Sequence, residues 1–193
     1  MYLLKICAFI ILIFSFIACT ESEQEVDEAV ILPATKGVQY ADSTSKSLQQ
    51  MLRVYYGLKD ALVAADSAKG RESALLLSNL SDEFNVYSLE EKDSALFKAV
   101  KDLPGIIKKA SLELSNTITL EEQRAIFETI SDNLYELIIV LKPAGIETYH
   151  QYCPMAFNDK GAAWLSDTSH IQNPYFGKKM LTCGEVKEEL RFQ

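Results

Sequence analysis

From residue 45 to residue 144 apolar side chains recur every three or four positions, the spacing that gathers them on one face of an α-helix. The first stripe, Leu48, Met51, Leu52, Tyr55, Leu58, Leu62 and Ala65, predicts an amphipathic helix from Ser45. A second set, Leu75, Leu76, Leu77, Leu80 and Phe84, follows a break between Asp66 and Gly70, where Asp66 can cap the second helix or Gly70 can end the first. Ser88-Leu89-Glu90-Glu91 has the form of a capping box and predicts a third helix, with Leu96, Ala99, Val100 and Leu103 on its face. Pro104 and Gly105 then interrupt or kink it before Ile106, Ile107, Ala110 and Leu114 continue the stripe. A second box, Thr119 to Glu122, opens a fourth helix along Ile126, Ile130, Leu134, Leu137, Ile138 and Leu141, closed by Pro143 and Gly145. Four stripes joined by short links predict a mainly α chain with an antiparallel four-helix bundle.

Beyond Gly145 the helical period stops. Glu147 to Cys153 reads as a strand, Pro154 ends it, and Asn158, Asp159, Gly161, Asn173, Pro174 and Gly177 are turn formers. A small irregular lobe with short strands is expected over residues 145–193, packed on the bundle of residues 45–144 and anchored by Phe157, Trp164, Leu165, Tyr175 and Phe176.

At the other end, a short basic segment through Lys5 precedes the apolar run Ile6 to Ile17, which has the length of a secretory signal and is short for a membrane span. The run ends in Ala18-Cys19, which looks like the bacterial lipobox whose cysteine is acylated and becomes the first mature residue. Residues 1–18 are thus expected to be a lipoprotein signal peptide, and residues 19–44, with Glu21, Glu23, Glu25, Asp27 and Glu28, an acidic lipid-anchored linker. The expected location is the cell envelope, on the periplasmic side or the outer-membrane surface. With a net charge of −8 the chain does not attract nucleic acid or an anionic membrane, so the membrane is reached through lipid.

Processing would remove Cys7 and acylate Cys19, leaving Cys153 and Cys183 as the only free thiols. The remaining soft or borderline donors are His150, Met155, His170, Met180 and Met51. Met51, like its neighbours Tyr55 and Tyr56, sits on or beside a helix stripe and reads as core. His170 lies between turns and reads as a surface residue. Cys153 and Met155, two apart on an extended segment, leave the same face, and Met180 and Cys183, three apart, converge in a tight turn. Thiolate and thioether sulfur together prefer Cu(I), with His150 as an optional nitrogen donor. Spacing alone favours the alternative, a Cys153–Cys183 disulfide, because an even pair of cysteines in an oxidising compartment reads first as a staple.

The segments YCPMAFNDKGAAWLSD, IQNPYFGKKMLTCGEV and LKDALVAAD resemble an uncharacterised domain family of Gram-negative envelope lipoproteins. The same domain is appended to periplasmic adaptor subunits of heavy-metal efflux pumps of the copper and silver type. The resemblance runs from about Leu48 to Glu188 and implies Cys153, Met155, Met180 and Cys183 as metal ligands, with His150 just outside the motif. The chain has none of the hairpin, lipoyl-like or barrel segments of such adaptors, which implies a stand-alone module.

Two functions follow as expectations. One is an envelope lipoprotein that binds a soft ion, Cu(I), and buffers it or hands it to an efflux component. The other is a disulfide-stapled interaction module without metal. No oriented Ser, His and acid set points to an enzyme, and nothing points to a small organic substrate. Cys19→Ser should release the protein from the membrane fraction, because an unacylated chain end has no membrane affinity of its own; envelope fractionation checks this, and a processed variant that stays bound would speak against the anchor.

Overall fold

The structure is a computed structural model that describes residues 30–31, 42–90 and 93–192. The expected signal peptide, Cys19 and all of the expected linker except Val30, Ile31 and residues 42–44 lie outside the described residues, as does Glu91 of the first capping box.

Helix α1 spans Asp42–Ala64, and its stripe from Leu48 to Leu62 is buried as the spacing requires. Ala65 adopts a left-handed conformation and ends the helix as an exposed turn residue. Asp66 then caps α2 (Ser67–Glu83), its carboxylate accepting from the Lys69 amide at 3.0 Å. Gly70 is therefore not a terminator; it lies buried inside α2 against Leu58 and Leu62 of α1. In the second apolar set Leu77 and Phe84 are buried, whereas Leu75 and Leu76 face outward.

The third helix departs from expectation at both ends. Tyr87–Leu89 form a single 3-10 turn, and α3 (Ser94–Val100) is capped by Asp93, whose carboxylate accepts from the amides of Ala95 and Leu96. Pro104 does not kink a continuing helix. It sits in the first turn of a new one, α4 (Leu103–Asn116), where its missing N–H has no ladder partner to lose. Thr119 caps α5 (Leu120–Leu141) with Glu122 as its box partner, and Lys142 ends it in a left-handed conformation.

The long helices pack in chain order, α1 on α2, α2 on α4 and α4 on α5. The C-terminal lobe, expected to be irregular with short strands, has its strands joined in one sheet. Strands β2 (Ile146–Cys153), β3 (Ala162–Ser166) and β4 (Glu185–Phe192) pair antiparallel with β2 in the centre. Strand β1, Val30–Ile31 in the segment expected to be a tether, adds parallel to β4 opposite Glu188 and Glu189. Charge hides β4 in the sequence: Glu185, Lys187, Glu188, Glu189 and Arg191 break the apolar alternation, and Arg191 instead finds Glu147 on β2 at 3.2 Å.

One apolar core runs through both halves, from Leu48 and Leu134 in the helices to Trp164, Leu165 and Leu190 in the sheet. Tyr55 joins them directly. Its ring stacks on Phe127 of α5 at 5.1 Å, and its hydroxyl accepts from the Leu165 amide of β3 and pairs with Ser131 at 2.7 Å. Leu134 is fully buried, so Leu134→Ala should cost roughly 2 to 5 kcal/mol in denaturant unfolding, whereas a change under about half a kcal/mol would mean that the stripe is not core.

Candidate functional site

Register decides which side chains of the lobe can meet. Residues Tyr149 to Cys153 pair one for one with Ser166 to Ala162, and directly opposed residues share a face of the sheet. His150 and Leu165 therefore lie on one face, and Gln151, Cys153 and Trp164 on the other. The first face meets the helices: the His150 ring stacks on Tyr135 of α5 at 3.9 Å, and Thr148 accepts from the Tyr56 hydroxyl at 2.8 Å. The second face is covered by the loop between β3 and β4.

Cys183 in that loop comes down on Cys153, with the two Sγ atoms 2.9 Å apart and both free thiols. Cys153 is fully buried near the end of the central strand, whereas Cys183 is partly exposed. The hydrogen bond to Cys153, reinforced by burial and by charge repulsion between the sulfurs, pushes the Cys183 thiol up to about 11. An ion or an oxidant that takes this sulfur must displace a firmly held proton.

Asn173 holds the loop in place. It is fully buried, its Nδ2 donates to the Cys183 carbonyl at 2.7 Å, and its Oδ1 accepts from the amides of Tyr175 and Phe176 at 2.8 and 3.2 Å. Its own amide donates to Leu181, and the Cys183 amide donates to Met180, which closes the Met180–Cys183 turn. Two glycines complete the fit. A Cβ on Gly184 would stand 2.9 Å from the Trp164 ring and one on Gly177 2.7 Å from Arg124, and both residues have positive φ. The Asn-Pro-Tyr-Phe-Gly run, read from sequence as turn chemistry, is thus the clamp that presents Cys183. The signal that could have found it is an Asn ahead of a Pro, since such a side chain commonly bonds backbone two residues on.

The thioethers flank this pair on separate segments. Met180 starts the turn that ends in Cys183 and is half-buried. Met155 follows Cys-Pro and is 46% exposed, beside an open groove of about 540 Å³ shared with Arg124, Tyr175, Phe176 and Lys179. The turn after Met155 is strained: Phe157, Asn158 and Asp159 are successive left-handed residues. Asn and Asp tolerate that region, whereas Phe157 does so at a cost of about 1–2 kcal/mol, offset by packing edge-on against Tyr175 at 5.2 Å.

The remaining candidates sit elsewhere. His150 is on the opposite face from Cys153, burial pushes its imidazole down, nearby Glu188 partly counters this, and its Nδ1 is buried with no hydrogen-bond partner. His170 is exposed and Met51 is in the helical core. Among the described residues, no three His, Cys, Asp or Glu side chains gather closely enough to hold an ion. The structure thus brings the two cysteines together and keeps His150, His170 and Met51 away from them.

Fold and site together define a mainly helical chain with a small antiparallel sheet, at one end of which a buried strand cysteine meets a partly exposed loop cysteine. Residues 51–144 match the model of a family described as a protein of unknown function, DUF3347. The match runs from Met51, nine residues into α1, to the residue before Gly145, so it covers the rest of the helices and stops short of the sheet with its two cysteines. No curated protein and no solved structure matches the chain.

If Asn173 is the clamp, Asn173→Ala should strand the Cys183 carbonyl and two amides and cost on the order of 3 kcal/mol, while thiol alkylation at Cys183 accelerates; denaturant unfolding and timed alkylation check the pair.

Proposed function

We propose that this chain is an envelope lipoprotein whose C-terminal lobe binds one soft monovalent ion, Cu(I), and buffers it or passes it to a heavy-metal export system. The helices, taken as one antiparallel four-helix bundle, serve as its scaffold. The observation that carries the reading is the meeting of Cys153 and Cys183, thirty residues apart in sequence, as free thiols 2.9 Å apart inside a loop with a dedicated clamp. Two thiolates and neighbouring thioethers are a soft donor set, which suits Cu(I) over hard cations. Met180, in the same turn as Cys183, and Met155, two residues past Cys153, are the thioethers proposed to complete the site. His150 lies on the other face and is left out of this ligand set.

A second reading has its own support. Two sulfurs that each sit about 2.3 Å from a shared tetrahedral ion stand roughly 3.8 Å apart, wider than the pair found here. The pair stands about as far from the roughly 2.05 Å of an S–S bond, so a comparable movement in the other direction closes a disulfide, which would shut a loop of thirty residues and contribute about 3 to 4 kcal/mol in the chain-entropy treatment. The two readings are reconciled as two states of one site: a closed, oxidised staple, and a reduced pair whose sulfurs part by about an ångström to admit the ion.

Competition against a chromophoric Cu(I) chelator without oxygen tests this. The reduced protein should take one Cu(I) per chain, Cys153→Ser should abolish tight uptake, and Met155→Leu or Met180→Leu should weaken it by roughly tenfold or more with the fold intact. Reduced protein that takes up neither Cu(I) nor Ag(I) above background removes the metal reading and leaves the staple.

A further inference from the structure

We infer that Cys183 is the sulfur at which the Cys153–Cys183 pair is opened, which makes it a thiol–disulfide exchange site whose co-substrate is an external thiol. This rests on the two-state reading above, because a site that closes in an oxidising envelope must be reduced before it can receive an ion. The reaction class that supplies the ion-ready form is therefore reduction by a thiol donor.

Access selects the sulfur. Exchange needs a thiolate to approach one sulfur along the line of the S–S bond, from the side away from the other sulfur. Cys153 is fully buried at the end of the strand that pairs with both β3 and β4, where its strand partner Ala162 is buried as well. Cys183 is partly exposed, follows exposed Thr182 and lies in a turn outside the strands. An incoming thiolate reaches Cys183 from solvent and has Cys153 behind it as the leaving group.

The step balances as follows. The external thiolate bonds to the Cys183 Sγ, the S–S bond breaks, and the electron pair leaves on the Cys153 Sγ, which takes a proton. A second thiol then attacks the external sulfur of the mixed disulfide and releases Cys183. The two external thiols are oxidised to their disulfide, and the protein pair is reduced. Asn173 gives this order its rigidity, since it holds the Cys183 turn by its carbonyl while the sulfur is exchanged.

The probe is glutathione, applied without oxygen to the full chain carrying the closed disulfide, with acid quenching and mapping of the adduct by mass spectrometry. The mixed disulfide should fall on Cys183 in preference to Cys153 by about tenfold or more. Variants that keep one member of the pair give a second measure, read at that cysteine by peptide mapping: in Cys153→Ser the remaining Cys183 should react with an aromatic disulfide reagent about tenfold or more faster than Cys153 does in Cys183→Ser. Adducts on Cys153, an even split, or equal rates would overturn the assignment. So would Cys153 and Cys183 both staying open to alkylation after oxidant treatment, an outcome that leaves Cu(I) binding standing. A chain that binds no Cu(I) but exchanges selectively at Cys183 retires the metal and keeps the exchange site.

Discussion

The Tyr55 hydroxyl binds the helices to the sheet, and the geometry of the lobe depends on it. Tyr55 is fully buried, stacks on α5, and offers its oxygen to the first backbone amide that β3 presents to the helices, that of Leu165. A buried hydroxyl with two partners repays its desolvation and also fixes where the strand lies. Burial also holds its proton, pushing the phenol well above its ordinary range. One turn further along α1, Lys59 is almost fully buried and reaches Ser166 and Asp167 at the end of β3, with Asp60 beside it at 3.0 Å. Lys59 is buried while both carboxylates are exposed, so its ammonium depends on them for a partner and ties the far end of β3 to α1 as Tyr55 ties its middle.

With β3 placed, the sheet divides its side chains between two environments. One face is spent on the helices, and the other is covered by the loop that returns from β3 to β4. Ile171, Tyr175 and Phe176 of that loop pack on the core, and polar bonding does the rest: a single Asn side chain satisfies three backbone groups and sets the position of Cys183. The strained turn after Met155 belongs to the same construction, because Phe157 must turn left-handed to pack on Tyr175, which in turn packs on Trp164 at 6.0 Å and Phe127 at 5.9 Å. Of the two thiols in this frame, Cys153 is fixed in a strand and Cys183 is carried by the loop.

The family match over residues 51–144 divides the chain in the same way as its chemistry. The matched helices supply a core and the anchors Tyr55 and Lys59, and both cysteines lie in the unmatched sheet and loop. The core, however, is shared between the two parts, from Leu48 through Leu165 to Phe192, so the lobe is built into the helical scaffold and does not hang from it.

Much of this was legible in the chain itself. The stripes of α1 and α5, the Thr119 cap, the stop at Pro143 and Gly145, and the strand ending at Cys153 follow from local rules, since spacing, caps and prolines act over a few residues. Where two local signals competed, only packing decided: Asp66 caps α2 because Gly70 is needed for close approach to α1, Pro104 starts a helix because Asp93 had already started the one before it, and β4 forms because Glu147 and Tyr135 receive its charged side chains. The residue types of the site were visible as an unusual cluster of sulfur. Their placement depended on contacts made across ten residues or more: the pairing register that turns His150 away from Cys153, the Asn173 clamp that carries Cys183 to it, and the burial that makes one sulfur accessible and the other not. Sequence spacing determines which side chains leave a strand together, but which segment then closes over them is set by the packing of the whole chain.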